Sequence, residues 1–185
     1  MPFDHFDFIA HLYDRAAQFS PSPALLEALA LHPDACLLDA GGGTGRVADA
    51  LRSQVRAVFV ADVSRGMLMQ SAAKGLPSLC APAEALPFAS GTFERVFMLD
   101  ALHHVHSQRE TIGELWRVVS PGGRVVIVEP DIRRMGVNLI AVAEKLLLMR
   151  SHFLTGEAIA ALFAHHQARV RVIQNEFNVI VVAEK

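Results

Sequence analysis

The ten residues Leu37-Leu38-Asp39-Ala40-Gly41-Gly42-Gly43-Thr44-Gly45-Arg46 have the pattern of a strand, a tight loop and the start of a helix. An apolar run ends at the carboxylate of Asp39, and glycines then follow at every second position. Glycine is needed where a backbone turns with positive φ or approaches a ligand closely. A loop that opens onto a helix N-terminus offers unpaired N–H groups and the positive end of the helix dipole. We therefore predict that this loop binds an anionic or polar ligand, with a nucleotide as the first candidate.

The spacing of the glycines excludes two common nucleotide sites. The dinucleotide fingerprint requires G-x-G-x-x-G. Counting from Gly41 puts Arg46 at the third glycine position, and counting from Gly42 puts Thr44 at the second. The sequence also has no G-x-x-x-x-G-K-[ST] phosphate loop. An oxidoreductase that binds NAD and a P-loop enzyme are therefore both disfavoured.

The D-x-G-x-G-x-G pattern that remains resembles the first motif of the class I methyltransferases that depend on S-adenosylmethionine (SAM). The resemblance implies that SAM is the cofactor and S-adenosylhomocysteine the product. It also implies that the loop passes under the methionine end of SAM, and that Asp39 helps to hold the amino group through the loop or a water. The glycines of the motif are Gly41, Gly43 and Gly45.

Length and composition favour one cytoplasmic α/β domain spanning residues 1–185. Hydrophobic residues make up 52% of the 185 positions, which a buried parallel sheet explains. No apolar run reaches the roughly 18 residues of a membrane-spanning helix, and the N-terminus is acidic where a signal peptide is basic. The formal charge of −2, with dispersed basic residues, gives no support for nucleic-acid binding. Cys36 and Cys80 lie in apolar settings and are predicted to be buried free thiols.

The second predicted strand, residues 55–60, leads into Asp62, about 20 positions after the glycine loop. A carboxylate at that place can accept both ribose hydroxyl protons of a bound nucleoside. Alternatively, Asp62 or Ser64 caps the predicted helix 65–73, and both roles can hold together. The sequence D-V-S-x-x-M-L resembles the family's second motif, which implies that Val63 and Met67 contact the cofactor, with Met67 against the adenine.

The third predicted strand, residues 77–81, precedes Ala83-Glu84-Ala85-Leu86-Pro87-Phe88, which resembles the family's D-A-E-x-L-P-F segment beside the adenine. The resemblance implies contacts from Ala83 and Glu84. The family's aspartate is replaced by Pro82, and proline has neither a carboxylate nor an N–H. This departure puts in question either the affinity for SAM or the way the adenine amino group is recognised.

The fourth predicted strand, Phe93–Leu99, is followed by a histidine-rich stretch that resembles the family's L-H-H-V segment. Ligands of open α/β sheets bind outside the carboxyl ends of the strands, so Leu99 and Asp100 are predicted to contact the cofactor. His103 or His104 is a candidate base that takes a proton from the methyl acceptor. A histidine that buttresses the loop is an equally good interpretation. A metal site is disfavoured because no cysteine or carboxylate is clustered nearby and metal-binding histidine pairs on a helix are usually four residues apart.

Two helical regions flank this α/β core. Residues 1–31 are predicted to hold two N-terminal helices, and the segment around Tyr13 resembles the family lead-in whose tyrosine closes over SAM. Residues 132–167 are predicted to form a modest, apolar helical cap insert. The insert could line a substrate pocket, pack on the sheet or form the face of a homodimer. It follows a turn at residues 120–124 and a fifth strand, residues 125–128, that Glu129-Pro130-Asp131 is expected to break.

The resemblance covers nearly the whole chain, and residues 170–173 and 177–182 complete it as a terminal hairpin. It implies a Rossmann-like, seven-stranded, mostly parallel sheet of order 3-2-1-4-5-7-6, with strand 7 antiparallel and helices on both faces. The activity implied is methyl transfer from SAM to a small-molecule acceptor, and the apolar insert favours an apolar or aromatic one. The alternative is a catalytically silent protein that binds SAM or S-adenosylhomocysteine in a regulatory or assembly role.

Overall fold

A computed structural model describes residues 19–133, 152–175 and 177–185. Within this part of the chain, seven strands form one sheet of order β3-β2-β1-β4-β5-β7-β6, as the sequence predicted. The strands are β1 (Cys36–Ala40), β2 (Ala57–Asp62), β3 (Ser78–Cys80), β4 (Phe93–Leu99), β5 (Val119–Pro130), β6 (Arg169–Asn175) and β7 (Asn178–Glu184). The α-helices are α1 (Pro23–Leu29), α2 (Arg46–Leu51), α3 (Arg65–Ala73), α4 (Gln108–Val118) and α5 (Gly156–Leu162), and 3₁₀ turns lie at Arg52–Gln54, Leu102–His104 and Ala164–His166.

The first five strands run parallel, and β7 lies antiparallel between β5 and β6. The carboxyl ends of β1 to β5 therefore meet along one edge of the sheet. Loops that follow these strands carry most of the predicted site residues. The topology thus gathers at one edge the residues that lie far apart in sequence.

Two apolar cores cover the two faces of the sheet, because successive residues of a strand point to opposite faces. Leu38, Met98 and Ile127 pack in the core beneath α4 and α5. Their neighbours Leu37, Phe97 and Val126 pack in the core beneath α1, α2 and α3. The central strands are buried on both sides, which accounts for the high apolar content of the sequence.

The fifth strand is longer than predicted at both ends. It runs from Val119 to Pro130, and Phe93 of β4 pairs with Val119 before a register shift. Glu129 and Pro130 continue the pairing with β7 instead of breaking it. Pro130 is tolerated here because it lies beyond Val128, the last residue of β5 that pairs with β4.

The prediction for Cys80 was also wrong. Its side chain is exposed, whereas Cys36 is buried. Cys80 is the last residue of β3, and β3 is an edge strand of the sheet. An edge strand has a neighbour on one side only, so the apolar setting in the sequence does not bury it.

Two predicted helical segments lie mostly outside the described residues: the N-terminal stretch up to residue 18 and the part of the insert between residues 134 and 151. The second helix of the insert is described as α5, and Thr155 caps it by accepting a hydrogen bond from the Ala158 N–H. Of the helices that the structure describes, none is both long and apolar enough to cross a membrane.

Candidate functional site

A cavity of about 350 Å³ opens at the carboxyl edge of the sheet. Most of the predicted site residues line it: Asp39, Gly41, Gly43, Asp62, Val63, Met67, Ala83, Glu84, Leu99, Asp100 and His104. Gly45 and His103 are not part of its wall, and Tyr13 lies outside the described residues. Motifs that are up to 65 residues apart in sequence (39 to 104) thus form one concave surface.

The glycine loop has the backbone conformation that its sequence predicted, with φ values of 72°, 52° and 72° at Gly41, Gly43 and Gly45. A Cβ on Gly41 would come within 2.7 Å of the Ala101 Cβ. A Cβ on Gly45 would lie 2.5 Å from Leu76 Cδ1. Gly43, by contrast, has only distant neighbours and lines the cavity. Gly41 and Gly45 therefore let the loop pack against the protein, while Gly43 leaves room for a ligand.

Asp39 lies beneath this loop and is almost completely buried. Among the residues that the structure describes, its Oδ2 atom has no hydrogen-bond partner, and a Cβ on Gly42 would come within 2.5 Å of its Cγ. Burial and then the charge of Asp62 raise the pKa of Asp39 to about 8, although the Ala48 backbone N–H acts in the opposite direction. In the free protein the carboxyl group therefore holds its proton at neutral pH.

Asp62 ends β2 and fixes the geometry of two neighbouring backbones. Its Oδ2 accepts a hydrogen bond from the Gly43 N–H (2.8 Å), and its Oδ1 accepts one from the Ser64 N–H (2.8 Å). Ser64 in turn caps α3 by accepting from the Met67 N–H (3.2 Å). A carboxylate oxygen accepts more than one hydrogen bond, so these contacts leave the group chemically able to bind ribose hydroxyls.

Glu84 has a structural partner that its sequence motif does not reveal. Its Oε1 accepts hydrogen bonds from the His106 N–H (2.7 Å) and the Ser107 N–H (3.1 Å). Glu84 therefore ties the segment after β3 to the loop after β4. Pro82, which replaces the aspartate of the family, also lines the cavity.

The two candidate histidines have different surroundings. His104 lines the cavity, and burial and then the neighbouring His103 lower its pKa to about 4. His104 is therefore neutral at pH 7 and can exchange hydrogen bonds, but it is a weak base. His103 is buried, and its Nδ1 lies 2.6 Å from Glu129 Oε2. This geometry matches the loop-buttress alternative for His103.

Reasoning from the sequence missed several residues of the site. The additional wall residues are Gly42, Thr44, Arg46, Val47, Ala81, Met98, Ala101, Val105 and His106. Most are sequence neighbours of predicted residues, so the strand–loop pattern could have indicated them. Glu129 was interpreted only as a strand breaker, yet a carboxylate at the carboxyl end of a parallel strand was a usable signal. Within the described ranges, no group of three or more His, Cys, Asp or Glu side chains could hold a metal ion.

Comparison with known proteins supports the methyltransferase resemblance that the sequence motifs indicated. Residues 38–127 match the family described as "Methyltransferase domain". Demethylmenaquinone methyltransferase from Mycolicibacterium vanbaalenii is 37% identical over 106 residues, which are 57% of this chain and 46% of the relative. The matched region thus spans about half the length of such curated relatives.

Two solved structures share the fold over nearly the whole chain. A SAM-dependent methyltransferase from Aquifex aeolicus superposes with a TM-score of 0.75 at 19% identity, covering 98% of both chains. A chain from the complex between the Haloferax volcanii Trm112 methyltransferase activator and a methyltransferase gives a TM-score of 0.82 at 16% identity, covering 100% of this chain and 99% of the other. At these identities the likeness concerns the fold. Domain match, sequence relatives and sheet order agree: residues 38–127, just under half of the chain, match a methyltransferase domain, and together the comparisons support a class I methyltransferase that depends on SAM.

Proposed function

We propose that this protein transfers a methyl group from SAM to a small-molecule acceptor. The observation that carries the proposal is the cavity in which the open face of Gly43 and the carboxylate of Asp62 meet at one edge of the sheet. Its volume of about 350 Å³ lies in the range of small-molecule sites. The buried Oδ2 of Asp39, for which the described part of the chain offers no hydrogen-bond partner, suits a cationic ligand, because a nearby positive charge stabilises a carboxylate.

We assign the two ends of the cavity to the two parts of SAM from the residues that line each end. Asp62, Val63 and Met67 hold the ribose and adenine, and the glycine loop holds the methionine part. Pro82 cannot bind the adenine amino group through a side chain, so the backbone N–H of Ala83 is the polar group proposed to face the base. The predicted contact from Tyr13 remains part of this proposal.

SAM supplies a methyl group that its sulfonium centre has already activated. The protein then has to align the acceptor with that methyl group and exclude water, and good alignment contributes about 7–11 kcal/mol to catalysis. His104 is neutral at pH 7, so we propose that it orients the acceptor by hydrogen bonding. A strong base is not required for an acceptor that is already a nucleophile at neutral pH.

The proposed acceptor is small and apolar or aromatic. Ala101, Val105 and the neutral ring of His104 form the wall after β4, and such side chains suit an uncharged ring better than a charged group. Several curated relatives are named demethylmenaquinone methyltransferase, so a demethylated naphthoquinone is the first compound to test.

Calorimetric titration with SAM tests the cofactor site, with NAD as the control ligand. We expect SAM to bind and NAD not to bind. Asp62→Asn should weaken SAM binding about 10- to 100-fold, because hydrogen bonds to a charged group contribute about 1.5–3 kcal/mol. Asp49→Asn is the matched control, since Asp49 is an exposed α2 residue paired with Arg52.

Methyl transfer is tested separately, with methyl-labelled SAM, the naphthoquinone and an extract of small metabolites. Labelled product is the expected result. Binding of SAM without transfer to any acceptor would support the catalytically silent alternative. Binding of NAD in place of SAM would contradict the proposal altogether.

A further inference from the structure

Glu129 concentrates three contacts on the loop that follows β4. It is the second-to-last residue of β5 and is almost fully buried. Its Oε1 accepts hydrogen bonds from the Ala101 N–H (3.1 Å) and the Leu102 N–H (2.8 Å). Its Oε2 lies 2.6 Å from His103 Nδ1. Because a carboxylate only accepts, the Nδ1 atom of His103 carries the hydrogen of this bond.

The loop held in this way begins in an unfavourable backbone conformation. Asp100 has a φ of 57°, in the left-handed region that residues other than glycine adopt at a cost. The Asp100 N–H donates to the Val128 carbonyl at 2.8 Å, so β5 holds this residue as well. Strained conformations persist only where the surrounding structure determines them. We infer that β5, with Glu129 near its end, fixes the path of the loop.

The same loop supplies part of the cavity wall. Ala101 packs so closely on the glycine loop that a Cβ on Gly41 would collide with it. The His103 ring stacks on Phe153 at 4.2 Å between centroids and contacts the His104 ring at 3.9 Å. His103 is therefore held between Glu129 and Phe153, and one face of His104 rests on it. A displacement of Glu129 would reach the cavity through His103.

We propose that Glu129 is the positioning residue for the acceptor end of the cavity: by binding two loop N–H groups and the His103 ring, it sets where His104 meets the methyl acceptor. The inference rests on the proposed function, because it identifies the His104 wall as the acceptor end. Glu129 does not touch the cavity itself. Its influence passes through the backbone of the loop and through His103.

Glu129→Gln tests the proposal with minimal change of shape. Glutamine keeps a carbonyl oxygen for the backbone N–H groups but can present its NH₂ group to His103 Nδ1, which must then accept. The ring would shift to the tautomer with hydrogen on Nε2. Glu94→Gln is the matched control, because Glu94 also accepts a backbone N–H, from Cys36 at 2.7 Å, but at the start of β4, away from the cavity.

Nitrogen NMR of the histidine rings is the first readout, since it needs no acceptor. We expect the Nδ1-protonated form of His103 in the native protein and its loss in Glu129→Gln. His104 should titrate near pH 4 in the native protein and at least about one unit higher in the variant, as the loosened ring gains water. The titratable or charged groups on the cavity wall around His104 are Asp39, Arg46, Asp62, Glu84, Asp100 and His106, and His103 contacts it directly.

Kinetics and cofactor binding are the second readout. Glu129→Gln should lower kcat for methyl transfer about 10- to 100-fold, because a slightly misplaced group is costly in an aligned site. SAM affinity should change less than about threefold, because β1 and β4 lie between β5, which carries Glu129, and β2, which carries Asp62. Glu94→Gln should leave kcat, SAM affinity and both histidine signals unchanged.

Two results would overturn the proposal. One is an unchanged His103 tautomer and His104 titration in Glu129→Gln. The other is a loss of SAM binding and thermal stability that parallels the loss of turnover, as expected of a merely structural residue. If Glu129→Gln does not fold, Phe153→Leu removes the ring stacked on His103. It should raise the pH at which His104 titrates while the Nδ1-protonated form of His103 remains, because Glu129 still accepts from that ring. An unchanged His104 titration would refute the mechanism. If the native protein binds SAM but transfers no methyl group, the proposed function fails while the NMR result still decides the role of Glu129.

Discussion

Asp39→Asn should remove most of the pH dependence of SAM binding below pH 7.5. Burial and the charge of Asp62 raise the pKa of Asp39 to about 8 in the free protein. A cation bound above the glycine loop would favour the ionised carboxylate and lower that pKa. Binding of SAM to the native protein would therefore release a proton, whereas an asparagine has no proton to release.

The size of the effect follows from the pKa. With a value of about 8, Asp39 holds about 0.9 proton at pH 7, and affinity rises about tenfold per pH unit while the bound form stays ionised. From about pH 5.5 to 7.5 the native protein should gain up to about 100-fold in affinity. The α-amino group of SAM itself titrates near pH 8, which is why the comparison stops at pH 7.5.

Stability should change with pH in the opposite sense. The pKa of Asp39 is raised above its ordinary value of 3.8, so the folded protein keeps a proton that the unfolded chain loses. The free energy of unfolding is therefore highest below about pH 4 for this group and falls as the pH rises to about 8. Asp39→Asn should lack this contribution in urea unfolding measured across that range.

Calorimetry in two buffers of different ionisation enthalpy measures the released proton directly. At pH 7 we expect about 0.9 proton for the native protein and for Asp49→Asn, and almost none for Asp39→Asn. Equal proton release by native protein and Asp39→Asn would refute the reasoning. So would a native affinity that is flat across the pH range, because Asp39 would then not respond to the ligand.

Two further predictions concern stability. Gly42→Ala places a Cβ 2.5 Å from the Asp39 Cγ, and this overpacking should lower the free energy of unfolding by about 1–3 kcal/mol. Gly113→Ala, in α4, places its Cβ in open space and should raise the free energy of unfolding by about 0.5–1 kcal/mol. Urea unfolding compares the two variants. Arg117→Met removes the guanidinium that donates to the carbonyls of Phe88 (2.7 Å) and Leu86 (2.8 Å). The loss of these hydrogen bonds should lower the free energy of unfolding by about 1–2 kcal/mol. An unchanged denaturation midpoint would show that they do not contribute to stability.

Local signals in the sequence were sufficient to predict the bounds of the elements that follow a clear turn or capping residue. The strand Phe93–Leu99 and the helix Arg65–Ala73 have the predicted bounds. The strand follows Gly91-Thr92, and the helix follows the capping side chain of Ser64. In both places the residue types that end an element agree with the packing of the fold.

Long-range pairing explains where the sequence misled us. Residues 120–123 have the composition of a turn, yet they belong to β5. The Gly122 N–H donates to the Lys185 carbonyl, and the Lys185 N–H donates to the Gly123 carbonyl. These partners lie over 60 residues away, and they hold in the sheet a bulge in which Gly122 keeps a turn-like φ of 75°. A window of neighbouring residues contains no information about them.

The site residues also divide into those that local sequence motifs identify and those whose role depends on distant parts of the chain. Motif resemblance selected residues that line the cavity, such as Asp62, because these motifs are local in sequence. It could not separate Gly43, which faces the cavity, from Gly45, which packs on Leu76. It also gave no reason to choose between His103 and His104, because distant residues, Glu129 and Phe153, make their surroundings different.

Carboxylates at the carboxyl edge of the sheet hold the loops that shape the cavity. Asp62 accepts a hydrogen bond from the backbone of the glycine loop, and Glu129 accepts one from the backbone directly after β4. Glu84 accepts one from the His106 N–H, after the 3₁₀ turn Leu102–His104. In each of these three, backbone N–H groups compensate the negative charge. Asp39 differs, because one of its oxygens is buried with no partner in residues 19–133, 152–175 and 177–185, and because its pKa is raised. Of these four carboxyl groups, Asp39 is therefore the one whose protonation should respond most strongly to a cationic ligand.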